Sequence, residues 1–283
     1  MKNTTQALSR IPFDDFGGEG PVLVFAHANG FPPGAYRRFL EPFTRLGRVI
    51  AIRHRPLWQE KPDAHSTWHQ VRDDLIAFLD TQNLRQVIGM GHSMGGVATM
   101  LAAARRPDLF SRLVLIEPVF IPSDWQFIFR LLPNALKQRF NPMIKGALRR
   151  QDFWKDQAEV FKSWRRARAF ARVSDEVLWD YVRAGTTSTD GGFRLAYSKY
   201  WEANYYGRIP RVWPDLRQVR LPTLGIRGQF SDTIFPKAWK KWAQCQPHAV
   251  LHTFEGAGHL IPMEAPDALA AFIIGHLQNA DFD

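Results

Sequence analysis

Four short β-rich runs alternate with helical patterns over residues 20 to 117, and no other feature of the chain restricts its fold as strongly. Val22-Leu23-Val24-Phe25, Arg48-Val49-Ile50-Ala51-Ile52, Gln86-Val87-Ile88-Gly89-Met90 and Leu113-Val114-Leu115-Ile116 read as strands. Between the second and third, Val71, Leu75, Phe78 and Leu79 fall on one face of a helix. Between the third and fourth, Met94 to Arg106 is rich in Ala, Leu and Met and stops before Pro107. Strand and helix in this order predict a parallel sheet covered on both faces, because a parallel neighbour needs a crossover and the crossover is a helix.

The rhythm breaks at Pro118. From there to Tyr206 the pattern is helical and irregular, with Pro122, Pro133 and Pro142 as breakers. Strand signals resume at Thr223–Ile226 and Val250–Phe254, and a last helix fits Pro266 to Leu277. The expected organisation is an α/β core over residues 1–117 and 207–283, interrupted by a helical cap over 118–206.

Gly91-His92-Ser93-Met94-Gly95 matches Gly-x-Ser-x-Gly at the junction of the third strand and its helix. In that setting the serine sits on a sharp turn that lifts its hydroxyl at the C-terminal edge of the sheet, beside a helix N-terminus that favours negative charge. Side chains at Gly91 and Gly95 would collide across such a turn. Ala26-His27-Ala28-Asn29-Gly30-Phe31-Pro32 follows the first strand and offers a second wall for an oxyanion. Pro32 and Pro33 have no N–H to donate, and Gly30 lets the backbone turn. The expected oxyanion donors are therefore the N–H groups of Phe31 and Met94, with the Asn29 side chain holding the loop and His27 bonding backbone.

A serine nucleophile needs a base, and the base needs a partner that fixes its tautomer. His259, in Gly256-Ala257-Gly258-His259, follows the last predicted strand at the same sheet edge. Asp232 follows the strand Thr223–Ile226 and is the expected acid. Glu117, which ends the strand Leu113–Ile116, is the alternative. The expected catalytic set is Ser93, Asp232 and His259.

These motifs resemble those of the α/β-hydrolase superfamily, over the whole chain outside the insertion. The resemblance implies the α/β-hydrolase fold, with an eight-stranded, mostly parallel sheet and a helical cap after the sixth strand. It implies a serine hydrolase acting without metal or cofactor through an acyl-enzyme, and the looser likeness is to small esterase- or lipase-like members cleaving carboxylic esters. A C–C bond hydrolase or a thioesterase would use the same triad. Two places depart from relatives. The Asp-x-x-Gly-x-Gly-x-Ser loop after the fourth strand reads Arg53-His54-Arg55-Pro56-Leu57-Trp58. At the usual acid position Gly228 is followed by Ser231, with Asp232 one later.

Charge adds a second theme. The chain carries a net charge of +10. Between Pro118 and Arg220 there are 19 Lys/Arg against 10 Asp/Glu, with clusters at Arg149-Arg150 and Arg165-Arg166-Ala167-Arg168. The expected reading is a solvated helical insertion. The other options are steering of an anionic ester or binding of an anionic surface or nucleic acid. The expected partner is a small-molecule ester, an anionic one among the options, and no nucleic acid. His65 and His69, spaced i, i+4, lack a neighbouring ligand set and read as solvated. The tyrosines and Trp201 of segment 197–206 read as cap packing. One cysteine, Cys245, excludes an internal disulfide. The first residues, Met1-Lys2-Asn3-Thr4-Thr5-Gln6, precede no apolar run of signal-peptide length, so a cytoplasmic location is expected.

Overall fold

A computed structural model describes residues 11–63, 65–122 and 141–278. The N-terminal residues weighed for a signal and the breaker Pro133 lie outside the described residues. Seven strands form the main sheet: β1 (Phe13–Gly17), β2 (Val22–Ala26), β3 (Arg48–Ile52), β4 (Val87–His92), β5 (Phe110–Ile116), β9 (Thr223–Gly228) and β10 (Val250–Phe254). Their spatial order is β1-β3-β2-β4-β5-β9-β10. Every pairing is parallel except that of the edge strand β1 with β3. The expected eight strands are seven among the described residues, and the insertion accordingly leaves after the fifth strand of the chain rather than the sixth. Among the described residues β1 and β10 are the edges of the sheet.

The five inner strands bury both faces, and their period-2 alternation sorts side chains into two cores. Val24, Ala26, Ile50, Ile52, Leu113 and Leu115 point to one core, built with α1 (Trp68–Thr81) and α2 (Met94–Arg105). Leu23, Phe25, Val49, Ala51, Val114 and Ile116 point to the other, with α7 (Pro266–Gln278) and the short helical segment 33–45. α2 crosses the middle of the sheet, and ten of its residues are buried, which explains why its sequence is almost wholly Gly, Ala, Val, Leu and Met. Bulky aromatic side chains close the first core: Phe120 lies edge-on to Trp242 at 4.8 Å between ring centroids. Such a fully buried ring contributes roughly 2–3 kcal/mol from area alone.

The insertion is not helical throughout. It contains α3 (Pro142–Arg149), α4 (Gln157–Arg165), α5 (Asp175–Gly185) and α6 (Lys199–Tyr206). It also carries a three-stranded antiparallel sheet of β6 (Phe153–Trp154), β8 (Gly192–Leu195) and β7 (Thr186–Thr189). The signal for it was local. Thr186, Thr187 and Thr189 are β-branched, and Asp190-Gly191 is a two-residue hairpin turn closed by the Thr189–Gly192 pair. α6 and the segment before it pack into the first core through Tyr197, Trp201 and Tyr205. That agrees with the packing reading, whereas Tyr200 is 56% exposed.

Candidate active site

Ser93 sits at the end of β4 with φ 54° and ψ −116°, a left-handed conformation that a non-glycine residue adopts only under constraint. The constraint is the close passage of α2 under the strands. A Cβ on Gly95 would stand 2.0 Å from the Ala26 carbonyl oxygen, and one on Gly91 would stand 2.6 Å from the Gly95 carbonyl carbon. Both contacts are with backbone, so neither neighbour can yield.

Register brings the rest of the site level with this turn. His92 pairs with Ile116 and Ile116 with Ile226, so β4, β5 and β9 end side by side. His259, in the loop after β10, places Nε2 3.1 Å from Ser93 Oγ. Its Nδ1 lies 3.0 Å from Glu117 Oε2. Glu117 has φ 49° and its N–H donates to the Ile226 carbonyl, a turn that brings the carboxylate between β5 and β9. The carboxylate is fully buried and further satisfied: Oε1 accepts the Gly228 N–H at 2.6 Å and Oε2 accepts the Ser231 hydroxyl at 2.7 Å.

The carboxylate on the His259 ring is therefore that of Glu117, not Asp232. Asp232 is exposed, and its hydrogen bond is with the neighbouring Thr233 hydroxyl at 3.3 Å. The one-residue offset noticed after Gly228 has a structural counterpart. Ser231 occupies the inward position, donates to Glu117 and accepts the N–H groups of Thr233 and Ile234, which turns Asp232 outward.

The loop after β2 also differs from expectation. The Phe31 N–H donates to the Ala28 carbonyl at 3.2 Å, and the Ala28 N–H donates to the Tyr36 hydroxyl at 3.2 Å. Both are committed to the loop's own fold. With Pro32 and Pro33 lacking donors, Asn29 and Gly30 carry the remaining N–H groups of residues 28–33. Met94, at the first turn of α2, has an N–H that no intrahelical carbonyl can reach. The insertion clamps this loop. Tyr181 donates its hydroxyl to the Gly30 carbonyl at 3.0 Å and stacks on Phe31 at 4.8 Å. The Asn29 side chain donates to the Glu202 carbonyl at 3.1 Å and accepts the Tyr197 hydroxyl at 2.8 Å. Arg150 in turn bonds the Glu202 carboxylate at 2.8 Å and Tyr181 at 3.0 Å.

The His27 and His54 rings lie against each other, centroids 4.0 Å apart and planes tilted by 39°. His27 Nε2 accepts the His54 N–H, so Nδ1 carries the proton and donates to the Ala28 carbonyl. Burial holds the His27 ring well below the ordinary histidine range and pushes His54 down to about 4. Of the basic clusters, Arg150 and Arg165 are committed within the insertion. Arg165 pairs with Asp175 at 3.0 Å and donates to the Val173 and Phe170 carbonyls. No helix among the described residues is long and apolar enough to cross a membrane.

The sequence pattern of the Alpha/beta hydrolase family matches residues 23–272. The chain is 30% identical to the non-heme chloroperoxidase CPO-A1 of Kitasatospora aureofaciens, over 93% of this chain and 94% of that protein. It is 36% identical to the strigolactone esterase RMS3 of Pisum sativum in a match covering 35% of this chain and 39% of that protein. Among solved structures, E-2-(acetamidomethylene)succinate hydrolase superposes with a TM-score of 0.81 at 20% identity, over 95% of each chain. Sheet order, elbow and family pattern agree, and the chain belongs to the alpha/beta hydrolase family.

Proposed function

We propose that this protein hydrolyses a carboxylic ester through an acyl-enzyme, with Ser93 as nucleophile, His259 as base and Glu117 as the acid. The observation that carries the reading is the unbroken line Ser93 Oγ, His259 Nε2, His259 Nδ1, Glu117 Oε2, with spacings of 3.1 and 3.0 Å. A carboxylate on Nδ1 keeps the proton there and leaves Nε2 bare to take the serine proton. As Ser93 attacks the carbonyl, His259 becomes an imidazolium beside a buried anion. The oxyanion is received by the Met94 N–H at the α2 terminus and by the Asn29 N–H, on a residue whose side chain is bonded to two parts of the insertion. His259 then protonates the leaving alcohol. A water, deprotonated by the same ring, releases the acid.

The test is labelling with a fluorophosphonate, followed by peptide mapping. The expected adduct is on Ser93, with activity and labelling both lost in Ser93→Ala. Undiminished labelling of that variant overturns the assignment. A panel of p-nitrophenyl esters of graded chain length, thioesters and a dienoic C–C substrate separates ester cleavage from the other reactions open to the same residues. The full-length similarity to a protein named as a chloroperoxidase motivates one further arm, chlorination with chloride and hydrogen peroxide.

A further inference from the structure

His92, the residue before the nucleophile, is completely buried and has no part in the mechanism above. Its ring nevertheless bridges two other pieces of the site. Nε2 lies 2.8 Å from the His259 main-chain carbonyl, and Nδ1 lies 2.8 Å from the Tyr36 hydroxyl. Tyr36, also fully buried, accepts the Ala28 N–H at 3.2 Å. A carbonyl can only accept, so His92 Nε2 carries the proton. In the neutral ring Nδ1 is then bare and accepts from the Tyr36 O–H, whose oxygen remains free to accept from Ala28. One sense of donation satisfies every atom: Ala28 N–H to Tyr36, Tyr36 O–H to His92, His92 N–H to His259.

We propose that His92 is a positioning residue that ties the oxyanion loop to the loop bearing the base, through the elbow between them. The inference rests on the assignment of Ser93 and His259 above. The Ala28 N–H is one peptide from Asn29, and the bonded carbonyl belongs to His259 itself, so the chain of bonds spans the two walls of the site. Ala28, Tyr36 and His92 are buried, and there a hydrogen bond is strong and an unmade one is costly. Neutrality of His92 matters equally. Its ring centroid is 5.0 Å from that of His259, and a charge there would oppose the imidazolium that forms when Ser93 attacks. Burial and the neighbouring His259 hold His92 well below the ordinary histidine range.

Three measurements test this. In wild-type protein with ¹⁵N-labelled histidine, the His92 ring is expected in the Nε2–H neutral form at pH 7. An Nδ1–H or doubly protonated ring overturns the proposal without any substitution. His92→Asn, which has no group at the Nε2 position, and Tyr36→Phe, which keeps the ring and loses the hydroxyl, are each expected to lower kcat and the fluorophosphonate labelling rate about 10- to 100-fold, with KM changed less than about threefold. The double variant is expected to lose little more than the worse single, because either change breaks the same chain. Labelling rates within twofold of wild type in both single variants, with Ser93 still the labelled residue, overturn the positioning role and leave the nucleophile assignment intact. Losses that multiply in the double variant overturn it too. A wild-type protein that takes no label at all sinks the nucleophile assignment and this inference together.

Discussion

Replacing Glu117 by Gln is the change that most directly separates the observed arrangement from the one read off the sequence. The amide has nearly the same shape, so it can still accept the Gly228 N–H through its oxygen. Its NH₂ then faces Ser231 and His259 Nδ1, where the carboxylate accepted. Two losses follow. The ring is driven towards the tautomer with its proton on Nε2, which presents a donor to the Ser93 hydroxyl and removes the base. The imidazolium also loses its counter-charge. With Nδ1 and Oε2 3.0 Å apart, the charge centres lie about 4 Å apart, and at an effective dielectric of about 20 that attraction is worth about 4 kcal/mol. At 1.36 kcal/mol per decade this is about three decades of rate, and the tautomer penalty extends the expectation to 10³–10⁴-fold in kcat/KM. Asp232→Asn, on an exposed side chain, should stay within about twofold of wild type. The assay is kcat/KM on a p-nitrophenyl ester for both variants, with melting temperatures to show that each is folded. A Glu117→Gln enzyme within tenfold of wild type beside a crippled Asp232→Asn enzyme would refute the reasoning.

Stability should fall towards acid well before the carboxylates protonate. His54 drops from an ordinary 6.5 to about 4 on folding because it is buried, and its Nδ1 has no partner to receive a proton. The unfolded chain therefore takes up the proton first. The neutral form's advantage is fully present above pH 6.5 and lost progressively down to about pH 4, amounting to about 3 kcal/mol for this ring and about 2 kcal/mol by pH 5. His27 and His92 shift in the same direction and add to it. Urea unfolding at pH 8 and pH 5 checks this, and equal free energies at the two values would contradict it. Asp74→Ala should be strongly destabilising, since it leaves the Arg55 guanidinium, 11% exposed and bonded to Asp74 at 2.7 Å, without its counter-charge. The expected cost is about 3–5 kcal/mol, or roughly a 10 °C fall in melting temperature for a chain of this size, and a fall below about 2 °C would show the pair to be dispensable.

The parallel sheet, its two covering layers and the elbow at Ser93 were legible because they depend on local sequence. Buried parallel strands read as apolar β-branched runs, and the sharp turn demands glycine on both sides of the serine. His259 was legible for a similar reason, lying in a glycine-flanked loop at the edge where β-strands end. The insertion's hairpin was equally local at Thr186–Thr189 and Asp190-Gly191, yet the surrounding helical pattern hid it. Three features could be read only from tertiary structure. The carboxylate that meets the His259 ring was one: β5 and β9 end side by side, so Glu117 and Asp232 start from equivalent edges. What separates them is the left-handed turn at Glu117 and the inward hydroxyl of Ser231. The loop donors were another, because whether the Phe31 N–H is available depends on a bond to Ala28 that closes the turn. The last was the line from Ala28 through Tyr36 and His92 to His259, which joins three stretches far apart in the chain. Sequence determines which groups a strand or turn can present, through periodicity and backbone sterics. Which of those groups meet is decided by side-chain direction and long-range packing, where spacing along the chain carries no information.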